Sequence, residues 1–203
     1  MNKKLTIIIP ITLLLFSVLF YFFYWIKTPT YSINIIRDSI NNHDILKFEK
    51  HVDIDRVFEK AYDDSAIGID KCEGGSVLTA PKGQLLMEMY KPQSLRALKN
   101  EALEVVKGNT LAKSTGRTDS ERYVFNVRER LNLLETKNIE VKNISQISED
   151  NNTTLMNINI YNKKIDNSFG LVVKMEKLDD GSWKIVEIYN LVDFFVEMYK
   201  YYW

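Results

Sequence analysis

The pattern of apolar and polar positions divides the chain into three stretches. From Leu5 to Ile26 no residue is charged. As a helix with a rise of ~1.5 Å per residue, this run measures about 33 Å, enough to cross a hydrocarbon core of ~30 Å. It ends in Phe20, Tyr21, Phe22, Phe23, Tyr24 and Trp25, with Lys27 just beyond. Aromatic and basic side chains of this kind favour the headgroup level. Pro10 lies in the first turns and does not prevent insertion. A cleaved signal peptide has a shorter apolar core that ends in small residues. The aromatic end therefore predicts an uncleaved transmembrane anchor, with Leu5, Phe20, Tyr24, Trp25 and Ile26 among its residues.

Helical periodicity governs the second stretch. Ile33, Ile36 and Ile40 predict a helix over 31–41, with Arg37 and Asp38 on its other face. Asn42-His43-Asp44 reads as a turn, and Asp44 as the cap of a short helix containing Ile45, Leu46 and Phe48. Asp53 caps a further helix whose apolar face is Ile54, Val57, Phe58, Ala61 and Tyr62. Glycines and a proline make 65–83 the least regular part. Two helices are expected over 84–90 and 94–107, the second capped by Ser94 and ended by Gly108, then a polar loop and a helix over 119–134.

After Glu135 the period changes to two. Strands are expected over 139–147, 153–162, 169–178 and 183–190, with Asp179-Asp-Gly-Ser as one hairpin turn. Met156, Ile158 and Ile160 alternate with Asn157 and Asn159, as a sheet with one wet face requires. A last helix runs from Leu191 through Phe195, Met198, Tyr199 and Tyr202. The predicted fold is α+β: an N-terminal transmembrane helix, several helices, a four-stranded antiparallel meander and a C-terminal aromatic helix. The division is a tip and anchor over 1–27 and one domain over 28–203. That domain is mainly helical over 28–135 and mainly strand with a terminal helix over 136–203.

Charge sharpens the location. The chain balances 27 basic against 27 acidic residues, but its first 27 residues hold Lys3, Lys4, Lys27 and no acid. Residues 28–203 thus carry 24 basic against 27 acidic side chains, a net −3. Lys3, Lys4 and the terminal amine favour the cytoplasmic side, which places 28–203 outside the membrane. Charge balance argues against a nucleic-acid partner. A single cysteine excludes a disulfide framework and a zinc site built on several thiolates.

Candidate chemistry is sparse. His43 and His51 are eight residues apart with a turn between them, unlike two ligands on one helical face. His43 beside Asp44 reads as turn and cap before acid–base pair. Asp53, Asp55, Asp63 and Asp64 lack the glycine turn and close alternate spacing of a calcium loop. Cys72 has a basic and an acidic neighbour and no nucleophile signature. No cofactor or metal is expected. The aromatic tail (Phe194, Phe195, Tyr199, Tyr202 and Trp203) reads first as core and second as an interaction surface.

Pro29, Tyr31, Ser32, Ile36, Ile40, His43-Asp44, Phe48 and Val52-Asp53 form a pattern that resembles a domain-of-unknown-function family of membrane-anchored bacterial proteins. The resemblance implies a location and a helical start, and no activity. Trp183-Lys184-Ile185-Val186 is similar to the terminal strand of nuclear-transport-factor-2-like α+β folds, which host both enzymes and binding modules. The expectation is a bacterial envelope domain, anchored in the lipid bilayer by its N-terminal helix, that binds or scaffolds an envelope protein. The alternative is a pocket for a small apolar ligand or a simple reaction.

Overall fold

The computed structural model describes residues 3–76, 78–109 and 139–201. The helix expected over 119–134, Tyr202 and Trp203 lie outside the described residues. Six helices and four strands are present among those described: α1 (Lys3–Trp25), α2 (Pro29–Asn41), α3 (Ile45–His51), α4 (Ile54–Glu73), α5 (Pro81–Val106), β1 (Ile139–Asp150), β2 (Thr153–Asn162), β3 (Asn167–Lys177), β4 (Trp183–Ile188) and α6 (Leu191–Tyr199). The architecture is α+β.

Local sequence sets the helix starts. Thr28 Oγ1 accepts the Tyr31 amide at 3.2 Å, and Pro29, which has no amide to leave unpaired, opens α2. Asp44 and Asp53 accept the Lys47 and Arg56 amides at 3.1 and 3.2 Å, as their positions before apolar runs predict. Two expectations are corrected. The stretch from residue 65 is not irregular at its start, since α4 continues to Glu73. Gly68 lies inside it, where a Cβ would sit 3.4 Å from Phe195 Cβ, so glycine lets α4 and α6 approach closely. The helices expected over 84–90 and 94–107 are the single helix α5, which passes through Pro92. Ser94 is no cap; it is buried inside α5 and hydrogen-bonds the Tyr62 hydroxyl, whose oxygen also donates to the Met87 carbonyl at 3.0 Å. Packing on Tyr62 thus overrides the local capping preference.

The sheet is an antiparallel meander in the order β1-β2-β3-β4. Period-two alternation sends Met156, Val173 and Met175 to one face, where Ile33 of α2 and Trp183 of β4 complete the core. Phe169 and Met198 form a second cluster, with Phe194 and Ile165 beside it. The opposite face carries Asn157 and Asn159. Both sheet edges differ from a plain hairpin array. β1 is interrupted by two register shifts, between Val141 and Asn143 and between Gln146 and Ser148. β4 is covered by the α3–α4 link, where Val52 pairs with Ile185 as a parallel bridge. Beyond the end of β4, the Asn190 side chain takes over the ladder: its Oδ1 accepts the Val172 amide and its Nδ2 donates to the Gly170 carbonyl, both at 2.8 Å.

Met175 is fully buried at the centre of the core. Met175→Ala is expected to lower the unfolding free energy by about 2–5 kcal/mol. Ile147→Ala, at an exposed position on β1, is expected to change it by less than ~0.5 kcal/mol. Urea unfolding of the two variants in detergent checks the contrast.

Candidate functional site

Two features stand apart from ordinary packing: the bare helix α1 and the way it joins the domain. From Ile9 to Trp25 every side chain of α1 is exposed, Phe20 by 71% and Tyr24 by 69%. Leu5 lies in the first turns of the same helix and Ile26 just after its end. An apolar surface that continues around a whole helix is not stable against water and marks a contact with another phase or partner. Among the described residues no single helix is long and apolar enough to cross a membrane; Ile9–Trp25 together with Pro29–Asn41 passes only as a pair bent by 70°. The α2 half of that pair is committed elsewhere, because Ile33 and Ile36 are buried in the domain. Leu13, Phe16, Ser17, Phe20, Tyr21 and Tyr24 share one face of α1 as an open, mainly apolar strip.

The break between α1 and α2 is not a loose tether. The Ile26, Lys27 and Thr28 amides donate to the Phe22, Tyr24 and Trp25 carbonyls at 3.2, 3.1 and 3.1 Å. The Thr28 hydroxyl also donates to the Trp25 carbonyl, at 2.8 Å. Each residue of the break is therefore held by the last turn of α1 or the first of α2.

Trp183, 1% exposed, ties this break to the sheet. Its indole N–H donates to the Lys27 carbonyl at 2.9 Å, and its amide donates to Ser32 Oγ at 3.0 Å. Its carbonyl accepts the Nδ1–H of buried His51 at 2.9 Å, which fixes that imidazole's tautomer. Two residues on, the Ile185 carbonyl accepts the Asp53 amide at 2.8 Å. The residues of the motif in 29–62 are thereby assigned places. Tyr31 and Ser32 start α2 against Trp183, Phe48 accepts the Val52 amide at the end of α3, and Val52 and Asp53 bind the edge of β4. His43 closes the far end. It adopts φ 58, and its Nδ1–H donates to the Val106 carbonyl at 3.0 Å. Gly108, at φ 77, lies under that ring, where a Cβ would come within 2.4 Å of it.

The charged residues are occupied by one another. Arg56 grips Glu176 with two hydrogen bonds of 2.6 and 2.8 Å, which hold the Glu176 carboxyl below its ordinary range. Lys50 at 2.5 Å, joined by Ser182, holds Asp180 far below the usual carboxylate value. Asp55 pairs with Lys99 at 2.7 Å, Asp63 with Lys91 at 2.8 Å, and Asp64 with Lys60. The four aspartates considered for a cation thus serve as a helix cap and three ion pairs. Among the described residues no group of three or more His, Cys, Asp or Glu is placed to hold a metal.

The aromatic tail divides. Phe194 and Tyr201 meet Phe169 edge-on, at 6.1 and 5.6 Å between ring centres, and Phe195 lies on Gly68. Tyr199 is half-buried. Nothing in the sequence links Trp183, Ser32 and His51 to one another. The signal that existed was Thr28-Pro29, a cap followed by a proline, which marks a helix restarting directly after the apolar run.

Ser32→Ala leaves the buried Trp183 amide without its acceptor and is expected to cost about 1–3 kcal/mol of stability, read by urea unfolding with tryptophan fluorescence. Glu176→Gln is expected to cost about 0.5–1 kcal/mol at neutral pH, the upper range for a half-exposed bidentate pair. The folded carboxyl titrates below its unfolded value of ~4.3, so the pair stabilises fully above that value and its contribution disappears as the pH falls through the lower folded value. The stability gap between wild type and Glu176→Gln therefore closes in acid, which unfolding curves across the pH range will show. No family model, curated protein or solved structure matches the chain.

Proposed function

We propose that the protein is a single-pass membrane protein whose α1 is the anchor and whose residues 28–203 form one extracytoplasmic domain that binds or scaffolds a partner at the bilayer surface. The carrying observation is an apolar helix exposed on every side yet joined to the folded domain by Lys27 and Trp183. Lys3 and Lys4 before the apolar run favour a cytoplasmic start for α1. Tyr21, Tyr24 and Trp25 supply the amphipathic rings of the outer interface. The described side chains serve mutual support: both histidines donate to main-chain carbonyls, and the aspartates cap or pair. This distribution favours a binding or scaffolding role over catalysis. The apolar strip on α1 encloses no volume and suits acyl chains or another helix better than a small enclosed ligand.

The chain is expected to stay in the membrane pellet after alkaline carbonate extraction. Protease added to intact spheroplasts is expected to remove the domain over 28–203 while leaving cytoplasmic markers whole. Lys3→Glu with Lys4→Glu is expected to reduce the protease-accessible fraction. Release into the carbonate supernatant overturns the anchor, and protection of the domain in wild-type spheroplasts overturns the orientation.

A further inference from the structure

We propose that the β3–β4 turn over 178–182 rests on the anionic lipid surface, with Lys27 and Lys177 as the groups that hold lipid phosphates. The proposal depends on α1 being the membrane anchor.

Three observations place the turn at headgroup level. Lys27 follows Trp25 by two residues, so its main chain leaves the bilayer where the aromatic residues end. Its carbonyl accepts the Trp183 indole at 2.9 Å, and its side chain lies across Gly181, where a Cβ would come within 3.0 Å of Lys27 Cδ. Gly181, at φ 83, is thus the part of the turn in contact with the residue that exits the anchor. Lys177 approaches from the other strand end, its Nζ 5.7 Å from the centre of the Trp183 ring. Trp183 is thus met by the Lys27 carbonyl and by the Lys177 ammonium, with the Lys27 side chain across Gly181 of the turn that precedes it.

The direction of the break agrees. α2 leaves α1 at 70°, so with α1 along the membrane normal α2 lies about 20° from the membrane plane. A domain joined at that angle by hydrogen-bonded turns lies along the surface and is not raised on a stalk.

Charge favours an anionic surface at this spot. Among the described residues neither Lys27 nor Lys177 has a carboxylate within ion-pair distance. Asp180, in the same turn, is taken by Lys50 at 2.5 Å and by both donors of Ser182. Asp179 is the opposing exposed carboxylate. Lys50 and Lys177 balance Asp179 and Asp180, and Lys27, just before the net −3 domain, leaves a local excess of one positive charge. Glu149 and Asp150 share this end of the sheet but lie on β1, at the opposite edge from β4. Contact is therefore through the β3–β4 side, with the β1 edge lifted. A lysine near an anionic leaflet changes surface occupancy by about fivefold.

The full chain in nanodiscs of phosphatidylcholine with about one-third phosphatidylglycerol tests this, using a gadolinium-bearing headgroup lipid and the relaxation of individual amides. The Gly181 amide is expected to relax much faster than that of Ile165, at the opposite end of the sheet. With the gadolinium carried on an anionic headgroup, Lys177→Gln is expected to lower the Gly181 relaxation, and Lys27→Gln with Lys177→Gln to lower it further, by about fivefold in local anionic-lipid occupancy per lysine, while the Trp183 indole signal confirms that the fold is kept. A chain that inserts into the disc but shows equal relaxation at Gly181 and Ile165 overturns the proposal alone. Unchanged relaxation at Gly181 in the double variant with the anionic gadolinium lipid overturns the phosphate-holding role. Failure to insert overturns the anchor reading itself.

Discussion

Three polar groups of Trp183 must find partners inside the protein, because the residue is buried and its indole N–H, amide and carbonyl cannot reach water. Their partners come from three places in the chain: the end of the apolar helix at Lys27, the first turn of α2 at Ser32, and the end of α3 at His51. Satisfying one tryptophan thus fixes the apolar helix α1, the two helices after it and the last strand relative to one another. The hydrophobic core is built directly beside it, since Ile33 and Met175 belong to the same cluster as Trp183.

This arrangement explains the sequence pattern over 29–62 without any catalytic role. Ser32 is small because its hydroxyl must reach a strand amide, and His51 donates from Nδ1 to a carbonyl in a buried setting. Val52 and Asp53 present main-chain groups to the edge of β4. The same edge is sealed further along by Asn190, whose amide side chain substitutes for two groups of an absent strand. An edge treated in this way offers little to another β-strand.

Elements whose information is local were legible in the sequence. The Asp44 and Asp53 caps, the period-two strands and the antiparallel meander all follow from nearest-neighbour chemistry and side-chain alternation. What could not be read depended on distant partners. Ser94 looks like a helix start until Tyr62 is seen to hydrogen-bond it from α4. Gly68 looks like a breaker until Phe195 is placed against it from α6. The candidate site was half legible in the same sense. The apolar run announces itself in 22 uncharged residues, whereas its fastening to Trp183 spans more than 150 positions and leaves no periodic trace.

The hydrogen-bonded break between α1 and α2 has a mechanical consequence. With no free swivel at residues 26–28, the helix and the domain turn as one body. Rotation of α1 about its own axis swings the domain like the arm of a crank, and any load that pins the domain sets which face of α1 is presented to its surroundings. Orientation information can pass in either direction through this joint, from what the domain holds to what the helix meets.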